Sequence, residues 1–251
     1  MAIATLGATV QKRFGQRGGG EIVAEASNIG RLRTISLFED LADPELNRVG
    51  SYCVTRTYAK GTQILTEEDE STDVLFILEG TARISSTTSS GKEVIFSELG
   101  AGDITGEFAA VDGLPRSASV SALTDCLAAR MSSANFIKMM NTTPLVATKL
   151  VELLVVKIRR LSERVFEVSA LSVRARVRRE LLRLATEGTR LGQGVVIRPA
   201  PTHYEIAARI GSHREAVTRE FNRLEENRIV EIRRRQIRIV NLDLLRSDDS
   251  T

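Results

Sequence analysis

The stretch Thr202-His203-Tyr204-Glu205-Ile206-Ala207-Ala208-Arg209-Ile210-Gly211-Ser212-His213-Arg214-Glu215-Ala216-Val217-Thr218-Arg219-Glu220-Phe221 reads as two short helices joined by a tight turn. Thr202 and Glu205 form a T-x-x-E capping box, in which a hydroxyl and a carboxylate satisfy the first free N–H groups of a helix. That helix stops at Gly211. Ser212 and Glu215 repeat the pattern, so a second capping box is predicted to open a helix running to about Glu226. Val217, Phe221 and Leu224 give this second helix a buried face, which leaves Arg214, Glu215, Thr218, Arg219, Asn222 and Arg223 on the other. The layout suits a DNA major groove. An arginine fork matches O6 and N7 of guanine, a glutamate accepts from N4 of cytosine, and the first turns of the second helix reach deepest. Glu215 also stands one turn before Arg219, where an ion pair would pre-set the arginine fork.

Beyond the two helices, Ile229-Val230-Glu231-Ile232 and Ile237-Arg238-Ile239-Val240 alternate as strands around Arg233-Arg234-Arg235-Gln236. This is a β-hairpin wing whose arginine tip suits phosphates. Upstream, Val173, Val177, Leu181, Leu182 and Leu184 predict a helix. A loop with Gly188, Gly192 and Gly194 follows, then a strand at Val195-Val196-Ile197, ended by Pro199 and Pro201. Charge follows the same division. From Leu171 onward there are 17 Arg, no Lys and 11 acids, a net +6, which leaves −3 on the first 170 residues. A basic C-terminal third on an acidic remainder fits a winged helix-turn-helix for double-stranded DNA joined to a unit of another kind.

Between the two lies a periodic run. Val151, Leu154, Ile158, Leu161, Val165 and Val168 follow one another at alternating intervals of three and four. Such a seam on a polar helix predicts pairing with a second copy, although Val155 and Val156 widen the apolar surface as in a helix lying on its own domain. This helix is the one continuous element between the two units, so a signal is expected to travel along it to a hinge near Ser169–Ser172.

The N-terminal part reads differently. Thr55 to Val120 breaks into strand-length pieces at Lys60-Gly61, Glu79-Gly80, Ser90-Gly91, Gly100-Ala101-Gly102 and Asp112-Gly113, the spacing of an antiparallel barrel or jelly roll. Leu37, Phe38, Leu41, Leu46 and Val49 precede it in short helical pieces. Gly15 and Gly18-Gly19-Gly20 lie in a first stretch of few periodic apolar positions, which predicts a mobile tail. Within the strands, residues 102–118 set a Gly beside a carboxylate, then a short turn, then an Arg beside a hydroxyl. Backbone N–H groups and the Arg can hold a cyclic phosphodiester while the carboxylate takes a ribose hydroxyl. An ordinary hairpin with a surface Glu–Arg pair reads the same way.

The run Gly106-Glu107-Phe108-Ala109-Ala110-Val111-Asp112-Gly113-Leu114-Pro115-Arg116-Ser117-Ala118 resembles the phosphate-binding cassette of cyclic-nucleotide-binding domains. With the seam helix and the C-terminal motif, residues 36–245 resemble the cAMP receptor protein (catabolite activator) branch of the CRP/FNR transcription regulators. The resemblance implies an α+β fold. A cyclic-nucleotide-binding β-roll would span 30–145 after a tail at 1–29, a dimerisation helix 146–170, and a winged helix-turn-helix 171–251. It implies that Glu107 accepts the ribose 2′-OH, Gly106 gives a backbone contact, and Arg116 neutralises the phosphate with help from Ser117. Phe96 and Leu99 would line the sugar and base, and Lys157, Leu161 and Ser162 would meet the nucleotide from the dimer helix. Arg214, Glu215 and Arg219 would read bases, and Thr202 and His213 would touch phosphates. It implies cAMP as effector, a homodimer, TGTGA-like half-sites and RNA polymerase as a partner. Two departures stand out. Thr105 precedes the Gly-Glu pair where the family usually has a bulky apolar residue. Leu161 holds the position of the family's adenine-reading threonine, and its side chain has no hydrogen-bonding atom. Since Ser117 can meet the amino group of a syn guanine, cGMP is a second candidate effector, and a DNA binder that needs no nucleotide is the alternative reading.

Composition narrows the rest. Two cysteines and two histidines in 251 residues offer neither a disulfide framework nor a metal cluster for hydrolysis. Apolar runs of a handful of residues do not span a bilayer, and the first residues lack a secretory pattern. A cytoplasmic regulator without catalytic activity is expected.

Overall fold

The computed structural model describes residues 21–22 and 29–246. Of the predicted tail, residues 1–20 and 23–28 lie outside the described residues. Glu21–Ile22 (β1) departs from the prediction: it pairs antiparallel with Thr57 and Arg56 at a sheet edge, where open backbone groups accept a further strand. Ile29–Leu32 (α1) and Asp43–Ser51 (α2) lead into the strands, with Leu37, Phe38 and Leu41 buried in turns between them.

The predicted roll is present. Its strands are Cys53–Tyr58 (β2), Gln63–Leu65 (β3), Val74–Glu79 (β4), Ala82–Thr87 (β5), Glu93–Leu99 (β6), Ile104–Thr105 (β7), Ser119–Ala122 (β8) and Cys126–Met131 (β9). They form two antiparallel sheets, β1-β2-β9-β4-β7 and β3-β8-β5-β6. Strand β4 shows why the roll holds together. Leu75 and Ile77 enter the core inside the roll, while Val74, Phe76 and Leu78 face a second core under α1, α2 and the following helices. Each such fully buried side chain stabilises by about 1.5–3 kcal/mol. Glu107–Asp112 (α3), read from sequence as a turn, is a short helix between two left-handed glycines, Gly106 and Gly113.

Ser133–Thr142 (α4) and Pro144–Ala170 (α5) close the roll. Val146 and Leu150 anchor the start of α5 in the core. Further along, Leu153 and the seam residue Leu154 still pack on that core, but Val151, Val155, Val156, Ile158, Leu161, Val165, Phe166 and Val168 are 45–62% exposed, so the helix's own domain leaves this face uncovered. It breaks where the hinge was predicted: Leu171 is extended, and the Ser172 hydroxyl caps Val173–Ala185 (α6) by accepting from Ala175 N–H.

The C-terminal unit comprises α6, Thr189–Leu191 (β10), Gly194–Ile197 (β11), His203–Ile210 (α7), Arg214–Glu226 (α8), Val230–Arg233 (β12), Gln236–Ile239 (β13) and Leu242–Arg246 (α9). Its sheet runs β10-β11-β13-β12, so the glycine loop read from sequence is a hairpin that widens the wing. Val177, Leu181, Ile206, Val217, Phe221 and Leu224 fill the core. Arg178 is fully buried among them, with Nε 3.3 Å from Glu220 and Nη1 donating to the Leu245 carbonyl.

The first capping box forms as predicted: Thr202 N–H donates to the Glu205 carboxylate at 2.8 Å, and Glu205 N–H to the Thr202 hydroxyl. The second does not. Gly211 takes the left-handed conformation that ends α7 (φ 66°), and Ser212 N–H then closes back on the Ala207 carbonyl at 2.9 Å. Ser212 is thereby spent on the end of α7. His213 becomes the N-cap of α8, the capping position three residues on falls to Ala216, and Glu215 is freed.

Candidate functional site

The cassette is organised by Gly106. Its φ of 85° favours glycine, and a Cβ there would lie 2.7 Å from both Arg116 Nη1 and the Asp73 carbonyl oxygen. The missing side chain makes room for Arg116. This guanidinium is 4% exposed and donates to three protein oxygens: Gly106 O at 3.1 Å, Asp73 O at 2.7 Å and Ser71 Oγ at 3.2 Å. Burial draws it below its ordinary pKa, against the pull of Asp73, Asp69 and Glu107. Glu107, the first residue of α3, is also 4% exposed, and Lys157 of α5 donates to it at 2.6 Å. Lys157 reaches the Ile104 carbonyl as well, at 3.4 Å. The long helix is thus tied to the cassette by a half-buried ion pair.

Gly106, Glu107, Arg116 and Lys157 therefore form one contiguous cluster. The other predicted residues lie differently. Ser117 is exposed beside Arg116. Leu99 is buried in the roll core, whereas Phe96 is the extra residue at a bulge between β5 and β6 and is 52% exposed. Leu161 stands on the uncovered face of α5 at 62% exposure, and Ser162 there donates its hydroxyl to the Ile158 carbonyl. A cleft of about 640 Å³, lined by Gln63, Thr66, Glu67, Asp69, Ser71 and Arg130 among others, shares Ser71 with the Arg116 cluster.

On the C-terminal unit, Arg214, Glu215 and Arg219 project to solvent from the first two turns of α8, and no ion pair joins Glu215 to Arg219 among the described residues. His213 is exposed at the N-cap, and Thr202 is exposed with its hydroxyl engaged in the capping box. At the wing tip Arg233 pairs with Glu231 at 3.5 Å, while Arg234 and Arg235 make the two-residue turn. Arg235 sits at φ 57°, and its carbonyl is held by Ala200 N–H. The exposed residues of α8 and the wing are rich in arginine, with Glu215 the acid among the predicted base readers.

Several functional contacts have no local signal in the sequence. The seam helix was expected to be the one continuous element between the two units, but it is not their sole link, because β6 packs directly on α7. Arg83 of β5 bonds Glu98 of β6 at 2.9 Å and Glu205 of α7 at 2.6 Å, and Arg209 of α7 returns to Glu98 at 2.5 Å. Folding alone brings these residues together.

Fold and site define a transcription regulator that joins a cyclic-nucleotide-binding domain to a helix-turn-helix. Residues 55–143 match the cyclic nucleotide-binding domain and residues 175–247 the Crp-like helix-turn-helix domain. The chain belongs to the CRP/FNR family. It is 33% identical over 199 residues to the cyclic AMP receptor protein of Thermus thermophilus, covering 78% of this chain and 88% of that one. It is 27% identical over 189 residues to the cAMP-activated global transcriptional regulator CRP of Salmonella typhimurium, covering 75% and 90%. Among solved structures, the c-di-GMP-responsive global regulator CLP of Xanthomonas campestris shares the fold at a TM-score of 0.71 and 18% identity, over 79% of this chain and 99% of that one. A CooA variant from Carboxydothermus hydrogenoformans does so at 0.69 and 21%, over 80% and 89%. Among the described residues no single helix is long and apolar enough to cross a membrane.

Proposed function

We propose that this chain is a cytoplasmic homodimer that binds a pseudo-palindromic operator and is gated by a cyclic nucleotide, cAMP in the first place and cGMP in the second. The observation that carries this reading is the half-buried Glu107–Lys157 pair beside Arg116. A ribose hydroxyl would compete with Lys157 for Glu107, and a cyclic phosphate would draw Arg116 off its carbonyl partners, so binding in the cassette acts directly on α5. Gly106 and Ser117 complete the phosphate contacts. Leu99 and Phe96 flank sugar and base, and Leu161 with Ser162 meets the base from the dimer helix. The exposed apolar face of α5 is the pairing surface. Two α8 helices about one turn of DNA apart, roughly 34 Å, then read TGTGA-like half-sites through Arg214, Glu215 and Arg219. Thr202, His213 and the wing residues Arg233, Arg234 and Arg235 meet phosphates, and RNA polymerase is the partner at the promoter.

One observation favours the alternative, a regulator of the same fold that needs no nucleotide: all three guanidinium nitrogens of Arg116 and one carboxylate oxygen of Glu107 already bond protein groups. Operator binding measured at one salt concentration without nucleotide, with cAMP and with cGMP separates the two. Gating requires tighter DNA binding with nucleotide and, by reciprocity, tighter nucleotide binding in the presence of operator. A hundredfold effect corresponds to about 2.7 kcal/mol of coupling. Equal affinities under all three conditions would establish the alternative.

A further inference from the structure

His203 follows the N-cap of α7, yet its ring belongs to the neighbouring helix. It stacks on Phe221 of α8 with centroids 4.6 Å apart and planes 24° apart, and its Nδ1 lies 2.9 Å from Thr218 Oγ. The Thr218 hydroxyl proton is directed at the Arg214 carbonyl, 3.0 Å away. That leaves the Thr218 oxygen to accept, so Nδ1 carries the hydrogen. Burial and the nearby Arg214 hold the imidazole below the ordinary histidine pKa, against the opposing pull of Glu225, which keeps the ring neutral at neutral pH.

The two contacts fall on the border between the faces of α8. Phe221 is fully buried, whereas Thr218 stands beside Arg219 and one turn after Arg214. The Glu220–Arg178 pair holds α8 on its far side. The side that bears Arg214 and Thr218 would rest on apolar side chains alone without His203, and a helix edge so held can roll about its axis. A turn of about 20° would carry a group about 6 Å from that axis sideways by about 2 Å, more than a two-pronged hydrogen bond to a base edge tolerates. A ring stacked at one position and hydrogen-bonded three residues earlier blocks that roll. We infer that His203 is a positioning residue for DNA recognition, which fixes the rotation of α8 and so aims Arg214 and Arg219. With its proton on the Arg214 carbonyl and one lone pair facing His203, the Thr218 hydroxyl has no hydrogen left to donate to a base.

The inference rests on α8 being the DNA-reading helix, and the test keeps the two apart. A duplex is first selected from a random pool by the parent protein. Its affinity and that of an unrelated duplex of equal length are then measured with the full chain at one salt concentration. His203→Phe keeps the stacking ring and loses the Nδ1–H donor, and Thr218→Val removes the acceptor. Each is expected to weaken the selected duplex about fivefold to twentyfold and leave the unrelated one unchanged, and the double variant to be no worse than either single, since both break one contact. His203→Gln, with a side-chain amide in reach of Thr218, is expected to recover part of the loss. Unchanged preference in His203→Phe would overturn the inference, as would equal weakening on both duplexes together with a lower melting temperature, which marks a merely structural role. A parent chain that selects no duplex would overturn the DNA-reading role of α8 itself, and this inference with it.

Discussion

Arg116 carries both the structure of the cassette and its proposed chemistry. Three protein oxygens from two segments converge on one guanidinium, so it ties the β3–β4 loop, at Ser71 and Asp73, to the Gly106 turn. Removing a buried group that satisfies such oxygens costs about 1–3 kcal/mol. Arg116→Gln is therefore expected to lower the unfolding free energy by that amount, seen as a lower urea midpoint at an unchanged m-value, as well as to abolish nucleotide binding. A midpoint equal to the parent's would show that the three bonds do nothing for the folded state. From sequence, Arg116 reads only as a cation beside a hydroxyl. Two of its three acceptors lie 43 and 45 residues away in the chain and carry no pattern that marks them.

The long helix α5 changes character along its length. Val146 and Leu150 are buried, and seven residues after Leu150 Lys157 reaches Glu107, but from Val155 onward the apolar residues face solvent. A seam of this length left bare on a single chain would be a liability in solution, and the three-and-four spacing matches a second copy of itself. Ile158, 61% exposed, stands at its centre. Ile158→Asp sets two carboxylates against each other across the axis and is expected to shift sedimentation from dimer toward monomer, with helix content retained. An unchanged dimer would place the pairing surface elsewhere. The break after Ala170 is equally local in origin: Ser172 offers a hydroxyl cap, and the chain turns there to begin α6.

The two units are joined twice, through α5 and through the contact of β6 with α7. The second joint is ionic. Glu98 is shared by Arg83 and Arg209, and Arg209 continues to the buried Glu180 of α6 at 3.4 Å. Strand β6 also carries Leu99 in the roll core, so one strand meets both the nucleotide-binding domain's interior and the DNA-binding unit. Glu98→Arg brings three arginines together and is expected to part the units, seen as a larger radius of gyration in solution scattering and faster amide exchange in α7. Adding Arg209→Glu is expected to restore both readouts. Scattering and exchange that do not respond to Glu98→Arg would show that α5 alone holds the units together.

What could be read from the chain before folding was whatever repeats or caps within a few residues. The Thr202–Glu205 box, the alternation around the wing arginines, the three-and-four seam and the glycine-flanked cassette all depend on neighbours a turn or a strand pair away, where period and backbone geometry leave a trace in residue order. Their domain-level consequence, a β-roll, a long helix and a winged helix-turn-helix, followed from those signals. Side-chain partnerships between distant segments did not. Lys157 meets Glu107 across 50 residues and Arg83 meets Glu205 across 122, and the ring of His203 closes on Thr218 because α7 crosses α8. Even the start of α8 was decided by competition between two adjoining helix ends. Two equivalent capping boxes stood in the sequence, but the left-handed turn at Gly211 claimed Ser212 for the helix before it. A backbone N–H satisfied by one helix end is no longer available to open the next, and only the folded chain determines which end takes it.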